Sequence, residues 1–173
     1  MNHQQFDKLV FYFFLYSFVG WICEDIYCFI IDKQWVNRGF LFGPYCPIYG
    51  FGALIFIHLL EPLKKHIILL SVFGIVSCTL LEYITSWGLE QLFNRRWWDY
   101  SHYAYNYQGR ICLLNSLLFG IMGLLLVYLI HPLCSQLIHR LTKGQLMIGS
   151  RLIITIMLLD LGCSIFINTT VKN

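Results

Sequence analysis

The sequence predicts an all-α integral membrane protein of about five transmembrane helices, and three observations predict it. Of its 173 residues 58% are hydrophobic and only 12% charged, and the apolar residues fall in long blocks. Four of those blocks reach the ~20 residues that a membrane-spanning helix needs. Acids nevertheless stand inside the blocks, at Glu24 and Asp25, at Glu82 and at Asp160. An acid near the middle of a membrane helix costs about 2.5–3.5 kcal/mol and normally faces a protein interior or a wet cavity. The whole chain, residues 1–173, reads as one integral membrane domain.

The first span covers about residues 8–31. It is too long for a signal peptide, carries two acids and lacks a small-residue cleavage site, so it is expected to stay as a helix. A segment from Gly39 to Pro47 follows. It is apolar but broken by Gly43, Pro44 and Pro47. Proline lacks an amide donor and restricts the residue before it, which predicts a broken or re-entrant stretch. The second span then runs only from Pro47 to Glu61-Pro62, short for the hydrocarbon core. The third span covers about 66–90, the fourth about 111–130 and the C-terminal one about 150–168.

The charge pattern excludes some classes. A net charge of +3 with basic residues at span ends gives no nucleic-acid surface. The seven cysteines form no C-x-x-C pair and no His/Cys spacing suited to zinc, so neither a metal nor a cofactor is expected. Cys23, Cys28, Cys78, Cys112 and Cys163 lie in or beside apolar runs and read as small packing residues. Basic residues divide six to six between the two sides. Discounting Arg38 and Arg110, which abut glycines at the starts of apolar segments, gives a multi-pass protein of the cell membrane with a cytoplasmic N-terminus.

The chain also reads as two repeated helical hairpins plus the C-terminal helix. At an offset of 70, Gly39 matches Gly109, Gly50 matches Gly120, and Pro62-Leu63 matches Pro132-Leu133. At an offset of 58, Glu24 matches Glu82 and Ile26 matches Ile84. Both copies run in the same direction, as parallel repeats do in transporters, where binding sites lie at the repeat interface. Chance coincidence between leucine-rich segments is the competing explanation.

Three features carry candidate chemistry. The first is the stretch from Asn37 to Ala53, where Gly39, Gly43 and Gly50 permit close backbone approach around Pro44 and Tyr49. Its freed backbone groups either line a path or only fix helix angles. The second is the helical stripe Gly74, Cys78, Glu82, Ser86 and Glu90, spaced by four. Small residues there allow close helix contact and bring Glu82 to it, as a working carboxylate or as a neutral structural one. The third is the loop from Asn94 to Arg110, six of whose eleven residues from Trp97 to Tyr107 are aromatic. It is an interfacial belt or, given Asp99, Ser101, Asn106 and Arg110, a lid over a polar cavity with Gly109 as hinge. In the fourth span Ser116 and Gly120 have the small-xxx-small spacing of a packing face. Asp160 has no evident local partner.

Gly20, Trp21 and Glu24, the stretch Asn-Arg-Gly-Phe-Leu-x-Gly-Pro…Pro-Ile-Tyr-Gly, and Trp-Asp-Tyr-Ser…Asn-x-x-Gly-Arg-Ile-Cys-Leu together resemble the CmpB-like family, labelled type IV ABC transporters. The resemblance runs from about residue 12 to about residue 133 and leaves the last helix outside. It implies a small multipass permease. As motif positions it carries over Glu24, Arg38, Gly39, Gly43, Pro44, Pro47, Tyr49, Gly50, Glu82, Trp98, Asp99, Tyr100, Asn106, Gly109 and Arg110. The chain has no G-x-x-x-x-G-K-[ST] phosphate loop, so any ATP hydrolysis belongs to another subunit.

The expected function is a permease component for a small polar or amphipathic solute, with a buried Glu/Arg cluster in which Arg38 and Arg110 neutralise Glu24 and Glu82 or hold an anionic group. Glu24, Arg38, Pro44, Tyr49, Glu82, Trp98, Asp99, Asn106 and Arg110 are its candidate substrate-binding residues. Its expected partners are the lipid bilayer and either a second copy or a separate ATPase subunit. Two other readings stand beside it. An intramembrane enzyme acting on a lipid or isoprenoid is one, although no nucleophile has a neighbouring base. A structural or regulatory subunit whose polar core fixes assembly is the other.

Overall fold

The computed structural model describes residues 2–32 and 39–170; the expectations for Asn37 and Arg38 lie outside them. Helix α1 is His3–Asp32. A non-helical stretch leads into α2, Pro47–Leu54, which continues as a π-helical turn, Ile55–Leu59. A 3-10 turn, Glu61–Leu63, precedes α3, Ile67–Phe93. Strands β1, Asn106–Tyr107, and β2, Ile111–Cys112, form an antiparallel hairpin with Tyr107 opposite Ile111. Helix α4, Leu113–Leu125, passes through a second π-helical turn, Leu126–Ile130, into α5, His131–His139. Helix α6 is Lys143–Thr170. Four helical stretches are long and apolar enough to cross a membrane, and Pro47–Leu59 is a shorter apolar helix, so the expected all-α membrane architecture is present.

Two span limits differ from the sequence expectation. The fourth span does not stop near residue 130 but runs on past Pro132 to His139. The π-helical turn just before Pro132 loosens the ladder where the ring would clash and the amide is missing. The last helix starts at Lys143, seven residues before the apolar run. Its start is a reciprocal cap: Thr142 N donates to Gln145 Oε1 (2.9 Å) and Gln145 N donates to Thr142 Oγ1 (3.3 Å). The same device starts α1, where Asn2 N donates to Gln5 Oε1 and Gln5 N to Asn2 Oδ1. At the other end of α3, Asn94 adopts the left-handed conformation and its amide donates to Glu90 O, stopping the helix.

The chain divides into two compact units, Met1–Gly50 with Gln136–Asn173, and Phe51–Ser135. In the first, α1 packs on α6. Gly149 lies under the Phe11 ring, and Ser150 Oγ donates to Asp7 Oδ1 (2.5 Å). In the second, α3 packs on α4. The ring of Phe56, 2% exposed, lodges against both Gly74 and Gly123, neither of which has room for a Cβ.

The two hairpins repeat in geometry as well as in sequence. Gly50 meets Phe13 and Ser17 on α1, and a Cβ there would come within 2.8 Å of the Phe13 ring. Gly120 meets Ser71 and Ile75 on α3, with Ile75 Cγ1 at 2.8 Å from a Cβ. Residues 13 and 17 are shifted by the offset of 58 to 71 and 75, the same offset that relates Glu24 to Glu82. Each hairpin also breaks into a π-helical turn near the corresponding place, one residue off the offset of 70: Leu60 N bonds Ile55 O, and His131 N bonds Leu126 O.

Candidate functional site

Each unit holds a polar cluster inside otherwise apolar helices. In the first unit, Glu24 Oε2 accepts a hydrogen bond from Tyr49 Oη (2.5 Å). Helix α2 reaches α1 because Gly20 leaves space for the Tyr49 ring, and because Cys46 N donates to Ser17 O (2.9 Å). The stretch Gly39–Cys46 is tied to α1 at its C-terminal end, while its own glycines lie against Leu41, Tyr45 and Cys46 of the same stretch. Its tip is held by Asp160 on α6. Phe42 N (3.0 Å) and Gly43 N (2.8 Å) donate to the two carboxylate oxygens, and Tyr45 Oη donates to Oδ2 (2.6 Å). Ser164 Oγ, one turn on, donates to Oδ1 (3.1 Å) and sets the orientation of the carboxylate. Asp160 thus has partners, from a segment more than a hundred residues away.

In the second unit the stripe read from the sequence is the inner face of α3. Gly74 is buried, and Glu82 and Ser86 are 4% and 5% exposed. Tyr100 Oη donates to Glu82 Oε1 (2.9 Å) and in turn accepts from Asn115 Nδ2. One turn further, Thr79 Oγ1 donates to Ser116 Oγ (2.8 Å), across the packing face that the Ser116–Gly120 spacing predicted. Two turns on from Glu82, Glu90 forms ion pairs with Arg110 and with Arg96 Nε (3.0 Å). Arg110 is 7% exposed; its Nη1 reaches Ser86 Oγ at 3.5 Å and its guanidinium lies 6.0 Å from the centre of the Tyr83 ring. Its Nε is buried and has no acceptor among the described residues.

The loop from Asn94 to Cys112 is built to deliver Tyr100 and Arg110 to this face. Gly109 has φ +66, and a Cβ on it would collide with Asp99 and Ser101, so only glycine fits. Its carbonyl accepts from Tyr100 N (2.7 Å) and its amide donates to Asn106 Oδ1 (3.1 Å). Asn106 Nδ2 donates to Tyr103 O (2.8 Å), and Trp98 Nε1 to Arg110 O (2.9 Å). Asp99 accepts from Ser101 Oγ and N, and these bonds hold its carboxyl below the usual range. Trp98, Asp99 and Asn106 therefore direct polar groups into the loop itself, whereas Tyr100 reaches Glu82 and Arg110 reaches Glu90 and Ser86, so that the two acids of the stripe have separate partners.

Sequence reasoning left out three contributors. Glu90 stands in the stripe but among its unassigned members, and Asn115 lies next to Ser116 of the packing face without carrying a role of its own. Asp160 was left without a role. For Glu90 a signal existed: it continues the four-residue spacing to the end of α3, facing the loop that carries the arginines.

No curated protein and no solved structure matches the chain. A family model does, over residues 11–165, so the likeness does not end near residue 133 but takes in α6 as far as residue 165, with Asp160, as well as the motif segments. The acids, the Gly-Pro stretch and the aromatic-arginine loop all lie inside that match, and the chain belongs to the family described as "Putative ABC-transporter type IV".

Proposed function

We propose that the chain is the membrane component of an ABC transporter for a small solute bearing an acidic or phosphate group. The buried face of α3 handles that solute, and a separate subunit supplies ATP hydrolysis. The observation that carries this reading is Arg110. A guanidinium almost wholly removed from solvent keeps a buried Nε donor with no acceptor among the described residues. Leaving such a donor unpaired costs about 1–3 kcal/mol, which an incoming oxygen acceptor recovers. Glu90 neutralises the rest of the guanidinium, so an arriving anion exchanges partners rather than meeting a bare charge. Glu82, Tyr100 and Asn115 offer a second set of polar groups one to two turns away for the polar remainder of the solute.

The family membership supports a transporter component that works with an ATPase subunit. Insertion in the cell membrane with the N-terminus inside follows from the charge reading above. The test is native mass spectrometry of the purified chain against a set of carboxylate and phosphate compounds. Arg110→Lys keeps a cation for Glu90 but has no Nε. Binding in the parent that is lost in this variant supports the proposal; equal binding in both rejects it.

A further inference from the structure

The loop 39–46 and the loop 94–112 occupy corresponding places in the two hairpins, yet they are secured differently. The second is fastened by its own repeat, through Glu82, Glu90 and its internal bonds among Asp99, Ser101, Asn106 and Gly109. The first is fastened by an element outside the repeat. Three hydrogen bonds from its tip end on the single carboxylate of Asp160. Two come from consecutive backbone amides, the arrangement that cradles an anion. The third comes from Tyr45, which is 4% exposed, lies tilted against Phe14 (5.8 Å between ring centres) and covers Gly43. Ser164 fixes the carboxylate from behind.

We propose that Asp160 is the latch of the loop 39–46: a positioning residue through which α6 holds this loop against α1. The geometry places three bonds from the tip of the loop on one side chain. Removing the carboxylate unfastens both amides and the tyrosine at once. The tip then lifts and draws Gly39 away from the Cys46 thiol beside it, so that the thiol is uncovered while the Cys46 amide stays on Ser17 O. The inference rests on the transporter reading only for what such a loop would gate. The latch itself involves no solute.

Cys46 is a native reporter, partly buried in the fastened state. The full-length chain in detergent is pulsed with N-ethylmaleimide, quenched and digested, and the modification at each cysteine is read by mass spectrometry. Cys112, 2% exposed and in the other unit, reports general unfolding. Asp160→Asn should speed alkylation of Cys46 by roughly tenfold or more, the equivalent of one hydrogen bond to a charged acceptor, with Cys112 unchanged. Tyr45→Phe leaves both amide bonds in place and should give a smaller acceleration in the same direction; it also decides the matter if Asp160→Asn does not fold. An unchanged Cys46 rate in the folded variants overturns the latch. So does an acceleration at Cys46 that Cys112 matches in every variant. Because no transport is measured, failure here leaves the transporter reading standing, and failure of that reading leaves the latch.

Discussion

The hydroxyl of Tyr100 donates to Glu82 Oε1 over 2.9 Å, joining the aromatic loop to the buried face of α3. The carboxylate is 4% exposed, so losing a donor there is felt. Tyr100→Phe should lower unfolding stability by about 1–3 kcal/mol. Glu82→Gln, which keeps an acceptor oxygen for the tyrosine, should be milder. Thermal unfolding of the two single variants and the double variant in detergent measures the pair: the effects should be non-additive by about 0.5–3 kcal/mol.

The repeat makes its own prediction. Gly50→Val and Gly120→Val should both destabilise by about 1–3 kcal/mol, since each forces a side chain into a helix contact. Gly88, in α3, has open space around it. Gly88→Ala should be neutral or stabilise by up to about 1 kcal/mol, from helix propensity alone. Equal tolerance at all three positions would remove the repeat's packing from the account.

Much of this was legible in the sequence, and the reasons differ by element. Length and apolarity gave the helices, because a membrane leaves the backbone few alternatives. The offset pairs Gly50 with Gly120, and both prove to sit at close helix contacts, whereas the residues they meet were not legible. The pairing of Arg110 with Glu90 was not legible. Three polar positions of α3 share one stripe at four-residue spacing, and only the path of the loop decides which of them the arginine meets. The partners of Asp160 were hidden for another reason: two are backbone amides, which leave no trace in residue type. The start of α6 was written in Thr142 and Gln145, but the apolar run drew the boundary later.

Acid should weaken the aromatic loop through Asp99. Its carboxyl is held below the usual range chiefly by the Ser101 hydroxyl. A depressed carboxyl contributes stability that is complete above its unfolded value, about 3.9, and lost as pH falls through the lower folded value. Unfolding midpoints measured from pH 7 downward should lose this contribution only below about pH 4. Asp99→Asn should show no such step, and Ser101→Ala should move it to higher pH.

Orientation is open to direct labelling. Tyr105 is 83% exposed at the tip of the aromatic loop, and Gly144 has open space at the start of α6. On intact cells an impermeant maleimide should label Tyr105→Cys and leave Gly144→Cys unlabelled until the membrane is opened. The reverse pattern would place the N-terminus outside.

The most direct test of the account is ATP-driven accumulation. The chain is purified from its native membrane with its associated subunits, the small molecule that accompanies it is identified, and that molecule is offered to sealed liposomes and to protein in detergent. The account predicts accumulation that requires ATP and an intact vesicle, with the molecule chemically unchanged. The same preparation carrying Arg110→Lys should lose roughly tenfold or more of that uptake, the cost of one charged hydrogen bond. Chemical conversion of the molecule by the detergent-solubilised protein, without vesicles or ATP, would contradict it.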